Sequence, residues 1–317
     1  MGKKDTITKE YLSRPDIFAD AFNYFLFGGK KVIKPTDLQE QDPTELAIIK
    51  KMGKIFTDQK MRDVLKLCTI RHSKYATLVL LGLEGQDKIS YVMPVRDNLY
   101  DALNYAAQVR EINRRHEEAG DLKEGAELLS GFTKEDKLIP VITLCVCFDK
   151  ASWDAPKSLS DMFGKIDSRI KPYINDYRLN LITPGEVKDF TKFASGLGIV
   201  LEFIQNSDDK KQMRSIIESR KEYKSVDINT VDIINAYTNA RISKKDAKGD
   251  RIDMCTAIQG LIEDGRHEGR VEGITEGENM LIKLLKLLKP GSKEYDKALN
   301  GTSAERKKLY KKYKIID

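Results

Sequence analysis

The sequence predicts an α/β chain, and three observations carry the prediction. Two apolar runs, 61–70 and 75–83, are separated by only four polar residues, Arg71-His72-Ser73-Lys74, the pattern of an antiparallel hairpin. A third run, 138–148, is apolar at nearly every position and is entered through Pro140, as a strand buried on both faces would be. Around these runs, apolar residues recur at helical spacing. Strands interleaved with helices make the chain α/β.

The elements follow in chain order. Residues 15–27 carry Ile17, Phe18, Ala21, Phe22, Phe25 and Leu26 at helical spacing, and Gly28-Gly29 stops that helix. Residues 30–60 are polar and punctuated by Pro35, Pro43 and Gly53, with one short helical pattern at 45–52. The hairpin comes next, and 89–92 extends it or begins another strand. Pro94 opens a long helix over 95–118, where proline is tolerated, with Leu99, Leu103, Ala106, Val109 and Ile112 as its apolar stripe. Beyond the strand at 138–148, a helix start at 158–161, a short strand at 177–182 and a helix at 190–203 are expected. From Asn206 onward the pattern is helical and charged. Three parts are therefore expected: a main domain over 1–205, a helical extension over 206–262, and a C-terminal piece over 263–317.

The C-terminal piece repeats a glutamate- or aspartate-glycine pair every four residues, from Asp264-Gly265 to Glu276-Gly277. Glycine costs a helix about 1 kcal/mol relative to alanine, so this helix is weak alone, yet its small face admits a close neighbour. Leucines and lysines at 280–289 then form an obvious apolar stripe, to pack on its own domain or on a second copy. Two-fold pairs are the commonest homo-oligomers, so a homodimer through these helices is expected. The tail, 306–314, interleaves tyrosines with lysines, as a solvated final helix or a phosphate contact.

Composition sets the bounds. A chain of 317 residues with 40% apolar content can bury a substantial core, and a net charge of +6 permits an anionic partner without requiring one. Cys68, Cys145, Cys147 and Cys255 form no CxxC pair, and His72, His116 and His267 lie far apart, so neither a zinc pattern nor a disulfide framework emerges. No signal segment follows Met1, and no apolar run reaches the length of a membrane span. A cytoplasmic, membrane-free protein is expected.

The chemistry-bearing residues sit on the hairpin. With its turn centred near His72 and Ser73, Asp63 would oppose about Gly82, and Asp63, Glu84 and Gln86 would share one face of the sheet. Two carboxylates converging over a glycine can hold a hard divalent cation, which phosphodiester cleavage commonly uses. Lys88 would lie further along the same face. Arg96 and Tyr100, four apart on the following helix, share a face; Arg96 is placed to hold a phosphate or to pair with an acid such as Asp101, and Tyr100 or Gln108 to hold Glu84. Cys145 and Cys147 are core residues, and Trp153 caps the end of the sheet.

Several segments, in order, resemble a bacterial family: 18–24 (Phe-Ala-Asp-Ala-Phe-Asn-Tyr), 32–35, Arg62-Asp63-Val64-Leu65, 81–86 (Leu-Gly-Leu-Glu-Gly-Gln), 91–96, 99–102, 129–132, 137–144 and Asn180-Leu181-Ile182. Together they resemble the Rpn family of recombination-promoting nucleases and transposase-like proteins, within the PD-(D/E)XK nuclease superfamily. The resemblance covers about residues 11–262.

The resemblance implies a restriction-endonuclease-like core, a mixed β-sheet flanked by helices with a metal site at one end of the hairpin. It implies Asp63 and Glu84 as ligands to Mg2+ or Mn2+, with Asp20, or Asp16 one turn earlier, as a supplementary ligand. The superfamily's lysine falls on Gln86, which hydrogen-bonds but carries no charge. The implied function is a metal-dependent DNA endonuclease linked to recombination or mobile elements. The competing expectation is a nuclease-derived DNA-binding or assembly protein with weak chemistry. A strand-transferring transposase has no DDE arrangement behind it.

Overall fold

A computed structural model describes residues 3–40, 63–72, 75–123, 125–245 and 247–316. The chain divides into two compact units, Met1–Met254 and Cys255–Asp317. The first is mixed α/β around a five-stranded sheet. Its strands are β1 (Leu38–Glu40), β2 (Val64–His72), β3 (Tyr75–Gln86), β4 (Val141–Cys147) and β5 (Leu181–Ile182), in the order β1-β2-β3-β4-β5. The β1–β2 and β2–β3 pairs are antiparallel, and the β3–β4 and β4–β5 pairs are parallel. The expected helical pattern at 45–52 lies outside the described residues.

The hairpin ladder is longer than its apolar runs suggested. Arg71 pairs with Ala76 and His72 with Tyr75, and Leu65, rather than Asp63, opposes Gly82. The register thus lies two residues from the expected one. Because side chains alternate with a period of two, the faces are unchanged. Strand β4 is buried along nearly its whole length, as its continuous apolar run requires.

Two helices precede the sheet. The first, α1 (Lys3–Ser13), has no counterpart in the expected elements. Its signal is short: Thr8, Tyr11 and Leu12 are buried at spacings of three and four, in an otherwise polar segment. The second, α2 (Pro15–Phe27), begins and ends as expected, with Gly28 in the left-handed conformation (φ +62°) that favours glycine.

The segment expected to form a strand at 89–92 is instead a turn into α3 (Met93–Ala119). The expected apolar stripe on α3 fails apart from Ile112. The buried face is Met93, Pro94, Asp97, Tyr100, Asp101, Asn104 and Ile112. Asp101 explains how that polar face is tolerated: Thr143 Oγ1 and Tyr177 OH donate to its two oxygens at 2.5 and 2.8 Å. After a short α4 (Ala126–Ser130), the unit adds α5 (Gly196–Gln205), α6 (Lys210–Ser219) and α7 (Ile228–Tyr237). A two-stranded ribbon, β6 (Val226–Asp227) with β7 (Arg251–Ile252), completes it. Helix α7 is tied to α1 by hydrogen bonds between Tyr11 and Thr230 (3.1 Å) and between Thr8 and Tyr237 (2.8 Å). Residues 206–254 therefore pack within the first unit.

The C-terminal end of α3 carries a testable device. Both ring nitrogens of His116 face carboxylates, Nδ1 at 2.6 Å from Asp121 and Nε2 at 2.9 Å from Asp136. A neutral imidazole has one N–H, so only the imidazolium donates to both. These two bonds raise the His116 pKa, while Thr133 and His116 hold Asp136 down to about 2. A raised folded-state pKa contributes stability that is complete below the ordinary histidine value, about 6.5, and is lost as pH rises through the folded value. The expected result is faster amide exchange over 121–136 as pH rises above neutrality, with that step absent in His116→Gln. A pH-independent exchange rate, corrected for intrinsic chemistry, would show that the clamp does not exist.

The second unit, which starts one residue into α8 (Met254–Leu287), adds α9 (Lys293–Asn300) and α10 (Ser303–Lys312). The glycine repeat lies inside one continuous helix. Leu284 and Leu288 of the leucine stripe are buried against Ala298 and Leu309, with Tyr295, Tyr310 and Tyr313 packed around them. The tail tyrosines thus serve a small core, and Tyr313 OH also donates to Glu294 at 2.6 Å. Among the described residues, no helix is long and apolar enough to cross a membrane.

Candidate active site

Strand β3 ends at the residues that matter. Glu84 is 2% exposed, and its Oε1 accepts from Gln86 Nε2 at 3.0 Å and from the Arg96 guanidinium. Arg96 reaches it from the first turn of α3, which the short connection after Gln86 and the proline at its start hold against the sheet. One turn on, Tyr100 OH lies 3.5 Å from Arg96, and the Met93 sulfur lies 3.6 Å from it on the other side. Glu84, Gln86, Arg96 and Tyr100 therefore form one contiguous cluster.

Asp63 immediately precedes β2. The pairing of Val64 with Leu83 places it across the ladder from Glu84. Gly85 N–H donates to Asp63 Oδ2 at 2.8 Å, and among the described residues no donor reaches Oδ1. Glycine at 85 matters because a Cβ there would lie 2.8 Å from the Leu12 side chain and 2.9 Å from that of Thr8, both buried on α1. The glycine beside Asp63 is thus Gly85, where Gly82 was expected.

Burial and the Glu84–Arg96 pair set the electrostatics of the cluster. Burial raises the Asp63 pKa, opposed by the Gly85 N–H, Lys9 and Arg96 and reinforced by Asp5. Burial lowers the Arg96 pKa, but Glu84 and Tyr100 outweigh it and the net shift is upward. Burial likewise raises Tyr100, with the Glu84 charge adding to it. Asp5 and Lys9 of α1 were missed from the sequence, because a lone acid and lysine in a polar leader carry no signal until α1 docks beside the hairpin.

Four expected participants lie elsewhere. Both Asp20 oxygens are engaged by the chain entering α5: Ala194 N–H at 2.9 Å, and Ser195 N–H and Oγ–H at 2.9 and 2.6 Å. Asp20 organises that turn and does not join Asp63 and Glu84; Asp16 pairs with Arg14 at 2.7 Å. Lys88 is 76% exposed and pairs with Asp149 at 3.3 Å, because β3 ends at Gln86 rather than continuing. The Gln108 amide is used by the Ile139 backbone, receiving its N–H at 2.7 Å and donating to its C=O at 3.0 Å.

Two carboxylates at facing ladder positions, one with an oxygen open among the described residues, fit a hard cation that takes the rest of its shell from water. Among the described residues, no group of three His, Cys, Asp or Glu is arranged to hold a metal ion. Asp63 and Glu84 are the two carboxylates that the ladder brings to facing positions, and Arg96 pairs with Glu84. Comparisons with protein-family models, with curated proteins and with solved structures find no match.

Proposed function

We propose that the chain is a metal-dependent DNA endonuclease of the Rpn type, with a restriction-endonuclease-like first unit and a role in recombination or mobile elements. The observation that carries this reading is the placement of Asp63 and Glu84 across the β2–β3 ladder with Gln86 on the Glu84 side. Asp63 and Glu84 would hold Mg2+ or Mn2+, which supplies positive charge to the phosphate and acidifies a water. Gln86 orients the attacking water through its amide. Arg96, already bound to one anionic oxygen, is suited to receive a phosphate oxygen. The test is nicking of supercoiled plasmid with Mg2+ or Mn2+, abolished by EDTA. No nicking under either metal would overturn the reading.

A weaker enzyme, or a DNA-binding protein that has lost efficient chemistry, is the second reading. Two observations favour it: Arg96 neutralises Glu84, and Asp20 is committed to Ser195. Gln86 variants separate the two. Gln86→Ala is expected to lose about 2–4 kcal/mol of transition-state stabilisation, and Gln86→Lys to stay within about tenfold of the parent. A Gln86→Ala enzyme with the parent's single-turnover rate would remove Gln86 from the mechanism.

A two-fold pair suits the two antiparallel strands of duplex DNA, and the C-terminal unit is its proposed device. Since Leu284 and Leu288 are used within their own unit, the pairing surface falls to the exposed Val271 and Ile274, three apart on one face of α8. The expected result is a dimer by light scattering that becomes a monomer in Val271→Lys/Ile274→Lys. A monomeric parent at tens of micromolar would remove this role.

A further inference from the structure

We infer that the tip of the β4–β5 connection, residues 162–174, is a DNA-contact surface, taking an unpaired base against Tyr173 and the flanking phosphates on Lys165 and Lys171. The choice of DNA rests on the nuclease reading; the surface itself rests on placement, exposure and charge. Strands β3 and β4 are parallel, so the connection leaving β4 emerges at the sheet end that carries Glu84 and Gln86. The pairs Glu84–Cys145 and Gln86–Cys147 put both cysteines on the face of those two residues. On that face Cys145 and Cys147 pack with Met93, Trp153, Ala155 and Leu179, and Met93 touches Arg96. The foot of the connection is therefore seated beside the candidate site.

Its stem is fixed. Leu179 N–H donates to Lys157 C=O at 2.8 Å and Leu159 N–H to Tyr177 C=O at 3.0 Å, with Ser158 and Arg178 paired between them. Asp176 accepts from the Ser160 N–H and Oγ–H at 2.9 and 3.0 Å. Above this stem the apolar side chains turn outward: Phe163 is 41%, Ile170 56% and Tyr173 86% exposed. Three cations, Lys165, Arg169 and Lys171, face a single acid, Asp167, and Arg169 pairs with it at 2.6 Å. Among the described residues Lys165 and Lys171 have no ion-pair partner. An outward ring in the same loop as two cations without ion pairs, above a hydrogen-bonded stem, offers what single-stranded nucleic acid needs, a stacking platform and phosphate contacts. A protein-binding patch would be expected to be less cationic at its centre.

The test is fluorescence anisotropy of a short labelled single-stranded DNA with the full chain in EDTA, so that binding is read without cleavage. Tyr173→Ala is expected to weaken binding about tenfold, and Tyr173→Phe to bind as the parent does. Lys165→Ala/Lys171→Ala is expected to reduce the slope of log affinity against log salt by about 1.4. These side chains are exposed, so the melting temperature is expected to stay unchanged. Parent affinity and slope in both the Tyr173→Ala and the double-lysine variants would overturn the proposal. So would capture of anionic phospholipid vesicles through these residues without DNA binding. The nuclease reading fails separately: loop-dependent binding by a parent that never nicks plasmid keeps this surface and removes the chemistry, and nicking with unaltered binding in the loop variants does the reverse.

Discussion

Asp63→Ala is expected to abolish divalent-dependent nicking, with a loss of at least about 4 kcal/mol of barrier lowering, roughly a thousandfold in rate. The size follows from the donor set. With Asp20 held by Ser195, the proposed cation rests on two carboxylates, and removing one leaves Glu84, which Arg96 already neutralises. The fold should survive, because Asp63 is at the start of β2 and contributes one hydrogen bond, from Gly85. Stability should move the other way. Burial raises the Asp63 pKa, so its contribution is present below the ordinary carboxylate range and is lost as pH rises through the folded value. Once ionised, the buried group costs stability. Asp63→Asn keeps an acceptor for the Gly85 N–H and is expected to melt slightly higher than the parent. Nicking at the parent's rate in Asp63→Ala would remove the site assignment.

Arg96→Ala is expected to destabilise the first unit by about 3–5 kcal/mol, the usual size for removing one partner of a buried ion pair. Glu84 is 2% exposed, so its carboxylate has no ready exit to solvent, and its Gln86 partner carries no charge. Urea unfolding measures the loss. In a Glu84→Gln background the same substitution should cost no more than about 1.5 kcal/mol, since a neutral amide needs only a hydrogen-bond partner. Equal losses in the two backgrounds would mean that Arg96 acts through packing against Met93 and Tyr100. A metal competing with Arg96 for Glu84 adds a second consequence: Arg96→Ala should bind Mn2+ more tightly than the parent even as it unfolds more readily.

The sequence by itself determined the elements whose burial is periodic. The runs at 61–70 and 75–83 became β2 and β3, the continuous run at 138–148 became β4, and residues 15–27 became α2 with its glycine stop. The face shared by Glu84 and Gln86 was legible because alternation along a strand is a local property that survives even a two-residue error in register. Period and punctuation are written in neighbouring residues, so they can be read without the fold.

Tertiary structure alone decided the partners of the charged groups. The resemblance implied Asp20 as a supplementary ligand, yet the turn entering α5, some 175 residues away, presents three donors that absorb it. Arg96 was placed on the correct helix, but its choice of Glu84 over Asp101 depended on Thr143 and Tyr177 satisfying Asp101 from other elements. The same contacts made the buried face of α3 polar, against its apparent stripe. The leucines of α8 found α9 and α10 of their own unit. A buried charge takes whichever partner offsets its desolvation, and that partner is supplied by packing between distant segments. Spacing along the chain carries no record of it.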